Sequence, residues 1–290
     1  MEIKGKIAVV TGAGLEAGGG SDDYNIGSAT ALELAARGIK AMGLVDRSPT
    51  VNEVAAKINQ EIGREVALPF VGDTTETKFR QSVYDKLEQS TDEVVRICVP
   101  AAGITRDRLS VKLDKNTGEV DIYPEELFRL VVSVNLIAPV YWGLEMVGRI
   151  AKDRKRKAMG KWEPKKALDV NGPGEHIQGT IIFIGSVSSR GNKGQIAYAA
   201  TKAGLEGAAR TLMTESMFYG VRCGVIHPGF TNTPMVRALG RDYVEKNVLP
   251  YTQLRRLIFP QEIASAICFM ISNSAVSGEL WADAGWHPSA

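Results

Sequence analysis

The chain has 290 residues, 44% hydrophobic and 23% charged, a globular balance that excludes disordered and fibrous architectures. Its formal net charge is only +2, so no chain-wide basic surface for nucleic acid is expected. No apolar run is read as reaching the roughly 18 residues of a membrane helix, and charged residues 1–6 lead straight into a strand, so a cytoplasmic protein without a membrane partner is expected.

The first strand-like run is 7–10, followed by Thr11-Gly12-Ala13-Gly14. A helical pattern follows over 26–37 and is closed by Gly38. Residues 41–45 read as a second strand ending at Asp46. The pattern then gives a helix over 51–62, a strand over 66–71, a helix over 78–89 and a strand over 94–99. A long helix is predicted around 124–150 and an apolar strand at 180–184. Residues 198–219 form a helix, 222–226 a strand, 260–271 a helix and 279–282 a last short strand. Apolar strands alternating with helices predict an α/β fold: one doubly wound Rossmann-type domain over 1–290, with a central parallel sheet.

In such a sheet the first strand's end meets a glycine turn and a helix N-terminus, where phosphate binds. Gly12 follows the strand and Gly27 enters the helix beside Ile26. Residues 15–24 therefore read as an insertion, rich in Gly18, Gly19, Gly20, Asp22 and Asp23. The middle glycine position falls on Asn25, which is expected to keep the turn by tolerating left-handed angles. Asp46 can accept both ribose hydroxyls and repel a 2′-phosphate, which favours NAD(H). Arg47 can stack on adenine or offset that repulsion, which leaves NADP(H) open.

Three segments bear on chemistry: Gly185-Ser186-Val187, Tyr198-Ala199-Ala200-Thr201-Lys202, and His227-Pro228-Gly229 followed by Thr231 and Thr233. Tyr and Lys four apart share one helix face. An ammonium beside a phenol is expected to lower the phenol's pKa toward neutrality, making Tyr198 an acid/base. Ser186 can hold the reacting oxygen, with Ser188 and Ser189 as alternatives. His227 reads as a packing or backbone-bonded residue, and His176 and His287 as solvated. Trp142, Trp281 and Trp286 read as core or interface aromatics. Cys98, Cys223 and Cys268 lie far apart and read as reduced core thiols. No metal is expected.

These segments resemble the short-chain dehydrogenase/reductase family over nearly the whole chain. Within it, Gly103-Ile104-Thr105-Arg106-Asp107 and Gly191-Asn192-Lys193-Gly194-Gln195 look most like 3-oxoacyl-carrier-protein reductases. The resemblance implies that Ser186, Tyr198, Lys202 and Asn135 are catalytic, with Asn135 holding a relay water. It implies that Asp73 and Thr74 meet adenine, and that Pro228, Gly229, Thr231 and Thr233 meet the nicotinamide and phosphates. The family's Asn-Asn-Ala-Gly is here Pro100-Ala101-Ala102-Gly103, so the backbone of Ala101, Ala102 and Gly103 lines the adenosine without the usual side-chain braces. Ser186 precedes Tyr198 by 12 residues, one fewer than the common interval.

The implied function is hydride transfer between NAD(H) and a secondary alcohol or ketone, with a 3-hydroxyacyl or 3-oxoacyl thioester as the nearest substrate class. An NADPH-dependent 3-oxoacyl reductase and a non-catalytic nucleotide-binding homologue are the alternatives. A homodimer or homotetramer through the 125–150 and 198–219 helices is implied by resemblance. Residues 152–166 hold eight basic and two acidic side chains. They open a second insertion, 152–178, expected as a solvated helix extension and loop, with docking of an anionic substrate group as the sharper reading.

Overall fold

The computed structural model describes residues 1–15, 23–159 and 177–286. Seven parallel strands form the sheet: β1 (Ile7–Thr11), β2 (Ala41–Asp46), β3 (Ala67–Val71), β4 (Ile97–Pro100), β7 (Gly179–Ile184), β8 (Val221–Pro228) and β9 (Gly278–Ala282). Their spatial order is β3-β2-β1-β4-β7-β8-β9. The order reverses between β1 and β4, so the crevice beyond their carboxyl ends is the switch point where ligands bind in open α/β sheets. The inner strands β1, β4, β7 and β8 are buried throughout because helices cover both faces, while the edge strands β3 and β9 are partly exposed.

One face packs against α1 (Ile26–Ala36), α2 (Val51–Ile62) and α9 (Pro260–Ser272), through side chains such as Leu34, Ile58 and Ile267. The other packs against α3 (Thr77–Thr91), α5 (Ala138–Arg156) and α6 (Ile196–Glu215), through Leu87, Trp142 and Leu205. Strand alternation divides β1 between the two cores, with Ala8 and Val10 in one and Ile7 and Val9 in the other. Trp142 is fully buried and donates to Thr74 O at 3.0 Å. The three cysteines are buried and free.

The long helix expected around 124–150 is α4 (Glu125–Val132), a π-helical turn over Ser133–Ile137, and then α5. Hydropathy does not register a π turn, because the apolar face continues through it. The stretch Glu125–Arg156 is long and apolar enough to cross a membrane by length and composition, contrary to the expectation that no run approached that length. Polar Asn135 lies within it, and its α5 face, with Trp142, Met146 and Ile150, packs onto the sheet.

The basic residues 152–157 extend α5, as expected, but they are not simply solvated. Asp153 is buried and receives Arg96 at 2.8 Å, Arg156 at 2.9 Å and Lys157 at 2.9 Å. Residues 160–176, with Lys161, Lys165, Lys166 and His176, lie outside the described residues, as do 16–22 and His287.

A hairpin absent from the expectations joins β5 (Val111–Leu113) to β6 (Val120–Ile122), and both strands are exposed throughout. Asp114 Oδ1 accepts Asn116 N and Thr117 N, and Gly118 supplies the positive φ of 73° that the reversal requires. Short helices α7 (Pro234–Arg237) and α8 (Arg241–Asn247) follow β8.

Candidate active site

The nucleotide end is a tight meeting of backbones. Gly12 leaves β1 at φ 67°, and a Cβ there would lie 2.7 Å from the Ala102 backbone. A Cβ on Gly27 would lie 2.2 Å from Gly12 O. Both positions therefore require glycine for close approach. Asn25 does not adopt the expected left-handed conformation. It is extended, at φ −96° and ψ −177°, and caps α1. Its Oδ1 accepts Ser28 N at 2.9 Å, while its Nδ2 donates to Gly14 O at 2.8 Å. The amide side chain ties Gly14 to the helix N-terminus, with no positive φ at Asn25 itself.

Asp46 stands at the end of β2 as expected, with Arg47 exposed beside it. Its carboxylate accepts Gly14 N at 2.9 Å and Ser48 N at 2.9 Å. Gly14 was not singled out from the sequence, although a Cβ there would lie 2.9 Å from the Asp46 carboxyl carbon. Thr50 joins the same corner, donating to Leu15 O at 2.6 Å and accepting Leu15 N at 2.9 Å. Across the turn, Thr11 Oγ1 accepts Ala102 N at 3.1 Å. This brace comes from β1 and partly replaces the missing asparagine braces after β4.

Asp73 lies just past β3, where its carboxylate accepts Thr75 N at 2.9 Å and the Thr75 hydroxyl at 2.7 Å. The Thr75 backbone hydrogen bond holds its pKa below the usual carboxylate value, and Arg47 adds to that. Thr74 is buried, with its hydroxyl unpartnered.

At the catalytic end, Asn135 sits in the π turn and is fully buried. Such turns are frequent at functional sites. The Asn135 amide clamps Ile104, accepting Ile104 N at 2.9 Å and donating to Ile104 O at 2.8 Å. The side chain thus fixes the backbone after β4, with one amide hydrogen and one oxygen lone pair left over. A Cβ on Gly103 would lie 3.5 Å from Asn135 Oδ1 and 3.8 Å from Lys202 Nζ, so these three residues converge.

Ser186 follows β7 and caps the short 3-10 turn Val187–Arg190, its Oγ accepting Ser188 N at 3.1 Å. Ser186 lines the same cleft as Tyr198 and lies near enough to lower the pKa of its phenol. Ser186 and Ser188 both line the cleft with Tyr198; Ser188 contributes its amide to Ser186 Oγ, and Ser189 has a buried, unpartnered hydroxyl. Tyr198 and Lys202 lie on α6, with Lys202 Nζ 5.3 Å from the Tyr198 ring centre.

The electrostatics differ from the sequence expectation. Burial pushes the Tyr198 phenol up to about 12, opposed by the nearby Ser186 and reinforced by Asp107. Burial also pushes the Lys202 ammonium down to about 8. Lys202 Nζ is held by Ile184 O at 2.7 Å. The ammonium therefore does not bring the phenol toward neutrality in the chain alone, because desolvation outweighs their attraction.

Pro228 ends β8, and Gly229 turns from it with its amide on Ala282 O at 3.0 Å. A Cβ on Gly229 would lie 2.7 Å from Asp283 O. Thr231 donates to Gly229 O at 3.1 Å and Thr233 to Thr231 O at 3.3 Å. One cleft is lined by Ile26, Thr231 and Thr233 on the nucleotide side and by Ser186 and Tyr198 on the catalytic side. Its outer wall combines Met235, Val236 and Leu239 with Thr105, Asp107 and Gln195. Asp107 and Gln195 were not read as site residues. They are distant in sequence, yet Gln195 Nε2 donates to Asp107 Oδ2 at 2.7 Å.

A family model described as short chain dehydrogenase matches residues 6–156. A second, described as Enoyl-(Acyl carrier protein) reductase, matches 164–287. The chain is 33% identical over 282 residues to the 3-oxoacyl-(acyl-carrier-protein) reductase of Escherichia coli K12, covering 96% of each chain.

The chain belongs to the short-chain dehydrogenase family.

Over 122 residues it is also 40% identical to the acetoacetyl-CoA reductase of Synechocystis, covering 41% of this chain and 50% of that one. A crystal structure of a putative short-chain alcohol dehydrogenase from Sinorhizobium meliloti superposes with a TM-score of 0.75 at 24% identity, covering 97% and 96% of the two chains. At that identity the superposition speaks to the fold.

Short-chain dehydrogenases use a nicotinamide dinucleotide. The residues present fit one: glycines 12 and 27 bring backbones together where side chains would intrude, and Asp46 stands beside the turn. The α1 N-terminus, capped by Asn25, faces the same crevice end. This short-chain dehydrogenase is an oxidoreductase of the CH–OH/C=O class.

Proposed function

We propose that residues 1–290 work as one Rossmann-type domain that transfers hydride between NAD(H) and a secondary alcohol or ketone. The substrate class is a 3-hydroxyacyl or 3-oxoacyl thioester. The observation that carries this reading is one cleft lined by Ser186, Tyr198, Thr231 and Thr233 together. Two relatives named for 3-oxoacyl and acetoacetyl thioesters support the substrate class, as does the apolar wall of Met235, Val236 and Leu239.

In this reading the bound dinucleotide supplies the hydride acceptor or donor. Ser186 holds the substrate oxygen, and Tyr198 gives or takes its proton. Lys202 brings positive charge beside the phenol and meets the ribose. Asn135 supports the proton relay and fixes the Ile104 backbone. Gly12, Asn25, Ile26 and Gly27 hold the pyrophosphate, while Asp46 and Arg47 meet the adenosine ribose. Asp73, Thr74, Ala101, Ala102 and Gly103 line the adenine side, and Pro228, Gly229, Thr231 and Thr233 the nicotinamide side. A homodimer or homotetramer forms through the α4–α5 and α6 faces, where Leu130, Ile137, Tyr141, Leu144 and Ile196 are exposed. The enzyme works in the cytoplasm.

The test is a screen of 3-hydroxyacyl-CoA thioesters and simple secondary alcohols with NAD and NADP. Turnover of the thioesters with NAD is expected, and turnover of simple alcohols alone would remove the substrate assignment. Asp46→Asn removes the charge, keeping one of the two acceptor oxygens, so relative use of NADP should rise at least about tenfold. Tighter binding of NADPH than NADH by the unaltered protein would overturn the NAD assignment.

A further inference from the structure

Behind Ser186, on the side away from the cleft, three side chains from three elements converge. His227 from β8 is fully buried, Glu206 comes from α6, and Glu279 from β9. His227 Nε2 lies 3.7 Å from Glu206 Oε1 and 3.7 Å from Glu279 Oε2. All three ligand atoms lie within 4.8 Å of one another. A separation of 3.7 Å is too long for a hydrogen bond, and Nε2 has no partner. A buried ring nitrogen therefore points, unsatisfied, at two carboxylates that repel each other. Leaving such an atom unpaired is costly, and one divalent cation between the three groups would remove both problems.

We infer that Glu206, His227 and Glu279 form a binding site for one divalent transition-metal ion, of the class of zinc. One imidazole and two carboxylates suit such an ion, and their two negative charges balance its two positive ones. Zinc bonds of about 2.1 Å put tetrahedral ligand atoms about 3.4 Å apart, so each glutamate closes on His227 Nε2 by about 0.3 Å from 3.7 Å, and the ligand atoms, within 4.8 Å of one another, draw together by at most about 1.4 Å. The glutamates are half-buried and can make that movement.

The surroundings match the second shell of a metal centre. Ligating histidines usually donate their other ring N–H to a carbonyl or carboxylate. His227 Nδ1 lies 3.2 Å from Ser186 O. With its proton there, Nε2 presents a lone pair to the carboxylates. Without metal, the other tautomer lets Nδ1 accept Ser186 N, also at 3.2 Å. Trp281 stacks on the imidazole at 4.1 Å and fixes the ring plane. Arg210 holds Glu279 Oε1 at 2.7 Å, leaving Oε2 for the ion, while Arg190 covers the outer face of Trp281 at 3.9 Å. The ion would thus tie α6, β8 and β9 together directly behind the Ser186 main chain.

The intact protein, stripped with a chelator, is titrated with cobalt(II) chloride and separately with zinc chloride. Visible ligand-field absorption, bound metal after dialysis and thermal unfolding are read. The expected result is about one ion per chain, with a cobalt band characteristic of four or five N/O ligands and a raised Tm. Glu206→Gln and Glu279→Gln should each weaken binding at least about tenfold, and the double variant should abolish the band. These side chains are part-exposed, so the variants test the site even where His227→Ala fails to fold. No retained metal and no band in the unaltered protein would overturn the inference. So would a band that persists in the double variant, which would put the ion elsewhere.

Discussion

At the nucleotide end of the cleft, the Asn25 side chain meets Gly14 O and Ser28 N at 2.8 and 2.9 Å. At the catalytic end, Lys202 is buried and driven to about 8, and Tyr198 is driven to about 12. The first region is locally satisfied and stabilises the fold it belongs to. The second holds ionisable groups away from water against their preference. The difference shows two physical regimes in one molecule: backbone and caps that serve folding at one end, and ionisable groups whose burial opposes their charge at the other. Two asparagines make the same point, since Asn25 and Asn135 each use the amide's donor and acceptor to fix a backbone segment.

The largest effect should come from the catalytic end. Tyr198→Phe removes the proton carrier, and turnover should fall by about 10²–10⁴-fold. Cofactor affinity, followed by nicotinamide fluorescence, should change less than about twofold. Full activity in this variant would end the division between the regions.

Lys202→Met tests whether burial of the ammonium really opposes folding. The folded pKa, about 8, lies below the unfolded value of 10.5. Between those values the unfolded chain binds more protons than the folded one, so this group's contribution to stability rises with pH. Below about pH 8 its penalty is constant and fully present. The unfolding free energy of the unaltered protein should therefore gain on that of Lys202→Met by about 3 kcal/mol from pH 8 to 10.5. A flat difference in denaturant titrations across that window would show that the lysine is not desolvated. Turnover of the variant should be lost throughout.

The smallest effect belongs to the nucleotide end. Asn25→Ala removes the α1 cap and should cost about 1 kcal/mol of stability. Cofactor Kd should rise while kcat at saturating cofactor stays unchanged. A loss of kcat would mean that the turn also shapes the catalytic end, and the two regions would no longer be separable.

Much of this molecule is legible along the chain, because strand–helix alternation and the residues at strand ends are local signals. The helix at 51–62 coincides with α2, and Gly12, Asp46 and Ser186 stand at the carboxyl ends of β1, β2 and β7. The Tyr198–Lys202 pair is legible for the same reason, since residues four apart on a helix are neighbours whatever the fold. The π turn within 133–137 and the exposed β5–β6 hairpin were not legible: the first keeps the apolar pattern of its helix, and the second buries none of its side chains.

Tertiary structure alone decided the rest. The pKa of Tyr198 depends on how much water surrounds it, and packing from several elements sets that. Asn25's role depended on Gly14 lying within reach of its amide. Asp107 meets Gln195, and Glu206, His227 and Glu279 converge, only because parallel strands need long crossovers that bring distant segments side by side. Sequence by itself therefore determined the family, the strand-end residues and the pairing of Tyr198 with Lys202. Packing decided the protonation of that pair and the chemistry that gathers behind it, because desolvation and long-range contact have no local signature.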